Sequence, residues 1–294
     1  MSTCSLQNRI LRAMSMDSFH QHHQSGPPEI DVVISVGGFY GFYVVGVNNI
    51  LRKMQDKKIL SIKRYSGSSV GAICSVLMCC DISAQQIIQL YEKLVSYEDY
   101  FSHLRHELLS MLPLDAYQRC SSKVFIHTSK VSLWGLQHVV FSQFTDNDDL
   151  VDACMASSSC PILVSSQWIY PYRGAYYTDG VFTKILPVFP SPKENQLLIR
   201  LYKIHYSFST MIKPRDPSIE GLIVKGAVEA EKFFRKEDQY IKAIVWYDEK
   251  YRNARRRKKR ILGTFFFSCL LMIGSMRLFR RRHNVVGQRF CRHW

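Results

Sequence analysis

In residues 59–80, ILSIKRYSGSSVGAICSVLMCC, an apolar run breaks at a glycine–serine turn and resumes with helical length. A strand passing into a helix through so short a turn is half of a β-α-β unit, and such units stack into layered α/β domains. Ser69 has Gly67 two residues before it and Gly71 two residues after it; Ser66 and Ser68 lack that pair. G-x-S-x-G at a strand–helix junction is the setting of a nucleophile elbow. The glycines relieve crowding where strand and helix meet. The hydroxyl then projects from the carboxyl end of the sheet, beside a helix N-terminus whose amides favour negative charge. The plainer alternative is a Gly/Ser loop that tightens a β-α turn.

The surrounding chain repeats the strand–helix alternation. IDVVISV (30–36) is a short apolar run of the kind a buried parallel strand needs, and it stops at Gly37–Gly38. Residues 42–54 have helical length, and so do 70–80 and 84–96, the last capped by Ser83. Strands are predicted at 59–65, 123–131, 136–142 and 196–204. Two short ones are predicted within 167–180, around the turn Pro171-Tyr172-Arg173-Gly174. Asp146 or Asp148 opens a helix through about Ala156, and 221–236 is amphipathic. The expected fold is a three-layer α/β/α domain with a mainly parallel sheet, in a chain of 294 residues, long enough for one large core.

A serine nucleophile needs donors for an oxyanion and a base. Gly37 and Gly38 end the first strand, so their backbone N–H groups are expected at the same sheet edge as Ser69; a simple glycine turn is the alternative. Asp179–Gly180 follows the strand AYYT, which makes Asp179 the candidate base, against the ordinary meaning of Asp-Gly as a turn. Asp146, Asp148, Asp149 and Asp152 are better explained as cap and first-turn residues of a helix.

Together these segments resemble the patatin-like phospholipases over about residues 30–190. ISVGGFYGFYVVGV (34–47), with Gly41 its last motif glycine, is similar to the family's oxyanion segment. YSGSSVGA (65–72) is similar to its serine elbow. The stretch 156–188, with Pro161, Asp179 and Gly180, is similar to its aspartate segment. The resemblance implies a Ser69–Asp179 dyad acting on lipid or phospholipid acyl esters, without a catalytic histidine, metal or other cofactor. Val36, Tyr40 and Val181 stand where the family usually has a glycine, a cation and a small residue. Valine at 36 is costly if that position needs positive φ.

The net charge of +15 is unevenly spread. Residues 251–294 hold 13 of the 39 Lys and Arg and no acidic residue, so residues 1–250 balance 26 basic against 24 acidic. In the tail, 252–260 and 277–282 are basic and flank ILGTFFFSCLLMIGSM (261–276). Its 16 uncharged residues span about 24 Å as a helix at roughly 1.5 Å each, and reach further if Arg277 snorkels so that the segment extends to 279. This predicts a membrane segment at 261–279 whose flanks bind anionic headgroups, and it argues against a nucleic-acid partner. The expected organisation is a flexible segment 1–29, a catalytic domain 30–248 and a basic tail 249–294. His20, His22 and His23 fall in the polar lead-in. No signal-peptide core is evident at the N-terminus and no C-x-x-C pair occurs. Reduced cysteines, a cytosolic catalytic domain and membrane association through the tail are therefore expected. Two other readings compete with the dyad. One is an α/β-hydrolase triad that adds His205. The other is a catalytically weak, membrane-anchored lipid-binding scaffold.

Overall fold

The computed structural model describes residues 26–97, 99–160, 169–189, 195–204, 219–238 and 240–247. The lead-in 1–25, the tail 249–294 with its apolar segment, His205 and Pro161 lie outside the described residues. Eight strands among the described residues join one sheet. They are β1 (Glu29–Ile34), β2 (Ser61–Ser68), β3 (Val124–Ser132), β4 (Gly135–Phe141), β5 (Tyr170–Tyr172), β6 (Ala175–Thr178), β7 (Gln196–Ile199) and β8 (Ile244–Trp246). The order is β5-β6-β3-β2-β1-β7-β8, with β4 on the other edge of β3. The centre, β7-β1-β2-β3, is parallel, and the strands added at the margins are antiparallel. Every residue of β7, and every residue of β1 after Glu29, is buried. Strands buried on both faces need a helical layer on each side, which is why these segments read as unbroken apolar runs.

The helices are α1 (Gly41–Asp56), α2 (Val70–Cys79), α3 (Ala84–Ser96), α4 (Tyr100–Met111), α5 (Ala116–Cys120), α6 (Asn147–Ser158) and α7 (Ile219–Arg235). α1 and α7 press backbone to backbone. A Cβ at Gly46 would lie 1.9 Å from the Ile223 carbonyl oxygen, and one at Gly226 would lie 2.0 Å from that of Tyr43. α3 starts where predicted, with a reciprocal capping box between Ser83 and Gln86. Asp146 caps α6 by accepting from the Asp149 amide at 2.7 Å.

Three expectations shift. The hairpin turn is Arg173–Gly174 alone, both residues left-handed (φ 44° and 70°), so Pro171 and Tyr172 belong to β5. The strand expected through 204 stops at Ile199, and residues 201–203 coil into a 3-10 turn whose Leu201 amide donates to Ser35 Oγ at 2.9 Å. Left-handed φ falls on Gly38 (52°), and Val36 is not among the positive-φ residues. The valine at 36 therefore carries no backbone strain of that kind. The six described cysteines are unpaired thiols, mostly buried.

Candidate active site

β3 brings the two halves of the site together. Its first half pairs with β2 as far as Ser68 opposite His127. β4 occupies the opposite edge throughout, so β6, paired with Ser129 and Lys130, lies on the same edge as β2. β2 and β6 thus run head to head along β3. The residue that follows β2 is Ser69, and the residue that follows β6 is Asp179.

Ser69 has φ 56° and ψ −135°, a conformation disfavoured for any residue with a side chain. The glycines around it make that turn possible. A Cβ on Gly67 would lie 2.0 Å from the Gly71 carbonyl oxygen, and one on Gly71 would lie 2.5 Å from that of Ile34. The Ser69 amide donates to Ser157 Oγ at 2.9 Å, and Ser157 Oγ donates on to the His127 carbonyl at 2.7 Å. The bend is therefore held from the C-terminal end of α6.

Asp179 is 2% exposed; its carboxyl lies beside Ser69, which favours the charged form, and accepts a 2.7 Å hydrogen bond from the Val181 amide. Its backbone is fixed on both sides. The amide donates to the Ser159 carbonyl at 2.9 Å, and the carbonyl accepts from Ser129 Oγ at 2.8 Å. Burial pushes the carboxyl pKa up from 3.8 to about 7, against the opposing pull of Ser69 and the Val181 amide. Gly180 packs against the end of β2, where a Cβ would meet Ser68 Oγ at 2.1 Å. The β5–β6 hairpin that presents Asp179 is tied to α6. Tyr170 donates to Asp152 at 2.6 Å, and Tyr172 and Arg173 both donate to Asp149 at 2.9 Å. Asp146 caps α6 and Asp148 and Asp149 lie in its first turn, as predicted; Asp152 lies beyond that turn, and Asp149 and Asp152 also hold this hairpin.

Gly37 and Gly38 turn the chain between β1 and α1. Gly38 lines a cavity together with Gly41, Ser69 and Ser158, whereas Gly37 is buried behind it, where a Cβ would meet Leu201 Cβ at 2.4 Å. Tyr40, in place of the family's usual cation, is buried. The cavity encloses about 1020 Å³, its mouth included, and runs between α1, α2, α3 and α4. Its wall is almost wholly apolar, with Val44, Ile73, Leu77, Leu90, Leu94 and Phe101 among its residues.

Three features were missed in the sequence. Ser157 and Ser158 end α6 against the elbow, and the hydroxyls of Ser158 and Ser159 are buried without partners. A run of small residues, ASSSC, is the signal that a helix end must approach another turn closely. Buried His127 bonds through its ring to Ser66 (2.9 Å) and His138 (2.8 Å). Burial, Lys184 and His138 hold it well below the usual histidine pKa. Asn48 is an amide on the cavity wall. Among the described residues no histidine bonds to Asp179, and no three His, Cys, Asp or Glu side chains cluster as metal ligands.

The family model for patatin-like phospholipases matches residues 32–190. The mouse omega-hydroxyceramide transacylase is 26% identical over 169 residues, which cover 53% of this chain and 28% of that protein. Human patatin-like phospholipase domain-containing protein 4 is 25% identical over 174 residues, 55% of this chain and 68% of its own. Mouse 1-acylglycerol-3-phosphate O-acyltransferase Pnpla3 is 29% identical over 164 residues, 51% and 39% of the two chains. The chain thus aligns with less than a third of the transacylase. Among solved structures, the ExoU–SpcU complex of Pseudomonas aeruginosa aligns with a TM-score of 0.45 at 16% identity, over 76% of this chain and 54% of that one. With the family match spanning both the elbow and the aspartate turn, this chain belongs to the patatin-like phospholipase family.

Proposed function

We propose that this chain is a lipid acyl hydrolase in which Ser69 is the nucleophile and Asp179 the base. The observation that carries the reading is the placement of a left-handed Ser69 beside a fully buried carboxyl whose pKa is pushed up to about 7. A base poised near neutrality takes and returns a proton efficiently. Ser69 Oγ attacks the acyl carbonyl carbon as its proton passes to Asp179. The amides of Gly38 and Gly37 hold the oxyanion. Collapse expels the alcohol or lysolipid, which leaves with the proton from Asp179. Water then attacks the acyl-Ser69 ester, giving one proton to Asp179, and the fatty acid departs as Ser69 regains it. The apolar cavity that opens beside Ser69 suits an acyl chain.

A fluorophosphonate probe tests the assignment. Wild-type protein labels on Ser69, and Ser69→Ala neither labels nor turns over esters. Asp179→Asn, folded by circular dichroism, loses at least about a hundredfold in ester turnover. His205→Ala keeps most activity. Labelling that survives in Ser69→Ala, or a folded but dead His205→Ala, overturns the dyad in favour of another nucleophile or a triad.

We also propose that the protein works at a membrane, with a cytosolic catalytic domain held there by 261–279 and its basic flanks. The tip of the β3–β4 hairpin supports this. Ser132 pairs with Gly135, which leaves Leu133 and Trp134 as the turn, 100% and 95% exposed. Two large apolar residues are foreign to such turns, and tryptophan with leucine is the composition of a membrane-interface contact. β3 runs parallel to β2, so this tip projects beyond the edge that carries Ser69, by about 20 Å from Ser68 at roughly 3.3 Å per residue.

A further inference from the structure

Asn48 breaks the pattern of the cavity. It is 6% exposed and sits on the cavity wall, its amide open to the cavity and joined by no hydrogen bond among the described residues. An amide on an apolar wall finds hydrogen-bond partners only in what the cavity holds, so an apolar residue there makes a more stable fold. Helix α1 presents Gly41, Phe42, Val44, Val45 and Asn48 to the cavity along one side. The first four are glycine or apolar, and the fifth is the only amide on the wall among the described residues.

The position of Asn48 gives the amide a meaning. α1 starts beside Gly38, at the catalytic end. Asn48 lies two turns further, about 10 Å along the axis from Gly41 at roughly 1.5 Å per residue. There the wall is completed by Leu77 and Met78 from the far end of α2 and by Leu94 from the last turn of α3. An acyl chain with its ester carbon at Ser69 passes Asn48 partway along its length. Among the described residues no charged side chain lines the cavity, so a carboxylate on the chain has no counter-charge there. An asparagine amide offers both donors and an acceptor, and the neutral group that matches it with one atom is a hydroxyl.

We propose that Asn48 makes this site selective for acyl chains bearing a hydroxyl partway along the chain, the hydroxyl exchanging hydrogen bonds with the Asn48 amide. The proposal rests on the acyl-hydrolase reading above. A site that hydrogen-bonds a substrate hydroxyl discriminates strongly against the analogue that lacks it, because the buried amide is otherwise left unpaired.

The test compares p-nitrophenyl stearate with its monohydroxy positional isomers on the full chain. The wild type favours one or a few adjacent isomers over stearate by at least about tenfold in kcat/KM. Asn48→Leu and Asn48→Ala bring that ratio to near one, and Asn48→Leu raises the melting temperature without ligand. A wild-type ratio near one for every isomer, or a preference that persists in both variants, overturns the proposal. Binding separates it from the catalytic reading. If no ester is turned over, yet a free monohydroxystearate raises the melting temperature of the wild type more than stearate does and Asn48→Leu abolishes the difference, the hydrolase reading fails and the pocket assignment stands. Esterase activity together with equal shifts by the two fatty acids does the reverse.

Discussion

The backbone of Ser69 and the burial of Asp179 are two forms of pre-organisation, one of geometry and one of proton affinity. A carboxyl with its ordinary pKa is a poor acceptor for a hydroxyl proton. Burial at Asp179 narrows that gap, and the bond from the Val181 amide holds the carboxyl in place. In the proposed dyad Asp179 must be ionised to receive the proton, so its raised pKa sets an acidic limb. The expected kcat/KM rises between about pH 5 and 8 with its half-maximum near 7, where a carboxyl of ordinary pKa would give a flat profile. Steady-state hydrolysis of a soluble short-chain ester across that range checks it; a rate already at its plateau by pH 5 removes Asp179 as the group that titrates. Ser69 and Asp179 were legible from their motifs. Asn48 and Ser157 were not, because a polar residue inside an apolar run reads as the solvent side of a helix until the packing of the other face is known.

At the scale of elements, the site depends on one long strand. β3 is nine residues long, and two shorter strands share one of its edges in succession, so the ends of β2 and β6 must face each other. The central strands and α1, α2 and α3 could be read from the sequence because their faces are apolar with clear period. α4 and α5 were not recognised. YFSHLRHELLSM spreads its few buried residues among charged ones, and AYQRC is a single turn of helix. The meeting of β2 and β6 follows from register, which no local pattern encodes. The same strand carries the Leu133–Trp134 turn past the catalytic edge. Replacing both residues by serine is expected to lower hydrolysis of phosphatidylglycerol-containing vesicles by about tenfold or more, each apolar side chain being worth about 1.5–3 kcal/mol when buried. Hydrolysis of a soluble ester stays within about twofold. A chain ending at Trp246 tests the tail beside it: it moves from the membrane pellet to the supernatant on fractionation. Equal vesicle rates for the serine variant reject the hairpin as a contact, and equal partitioning of the shortened chain rejects the tail as the anchor.

Over the whole molecule, two buried groups pull stability in opposite directions with pH. Asp179 has a raised folded pKa. Between the ordinary 3.8 and about 7 the folded protein keeps a proton that the unfolded chain has lost, so this group lowers stability as pH rises through that window. His127 has a depressed folded pKa. Below about 6.5 the unfolded chain takes up a proton that the folded protein refuses, so this group lowers stability as pH falls. Each slope is about 1.4 kcal/mol per pH unit where only one state is protonated. Where the two windows overlap, below about pH 6, they have opposite signs and offset each other, and the wild-type urea midpoint is expected to change little on their account. Asp179→Asn keeps the shape of the side chain and removes one slope. The variant is more stable than wild type above pH 7, by up to about 4 kcal/mol for a shift from 3.8 to about 7. That advantage shrinks to nothing near pH 4, so the urea midpoint of the variant falls steeply with acid where that of the wild type does not. Urea titrations of the two proteins at pH 8, 6 and 4.5 measure this directly. A constant difference across the three pH values shows that Asp179 titrates as it does in the unfolded chain. That would leave it ionised at every one of them and remove the proton affinity on which its role as base depends.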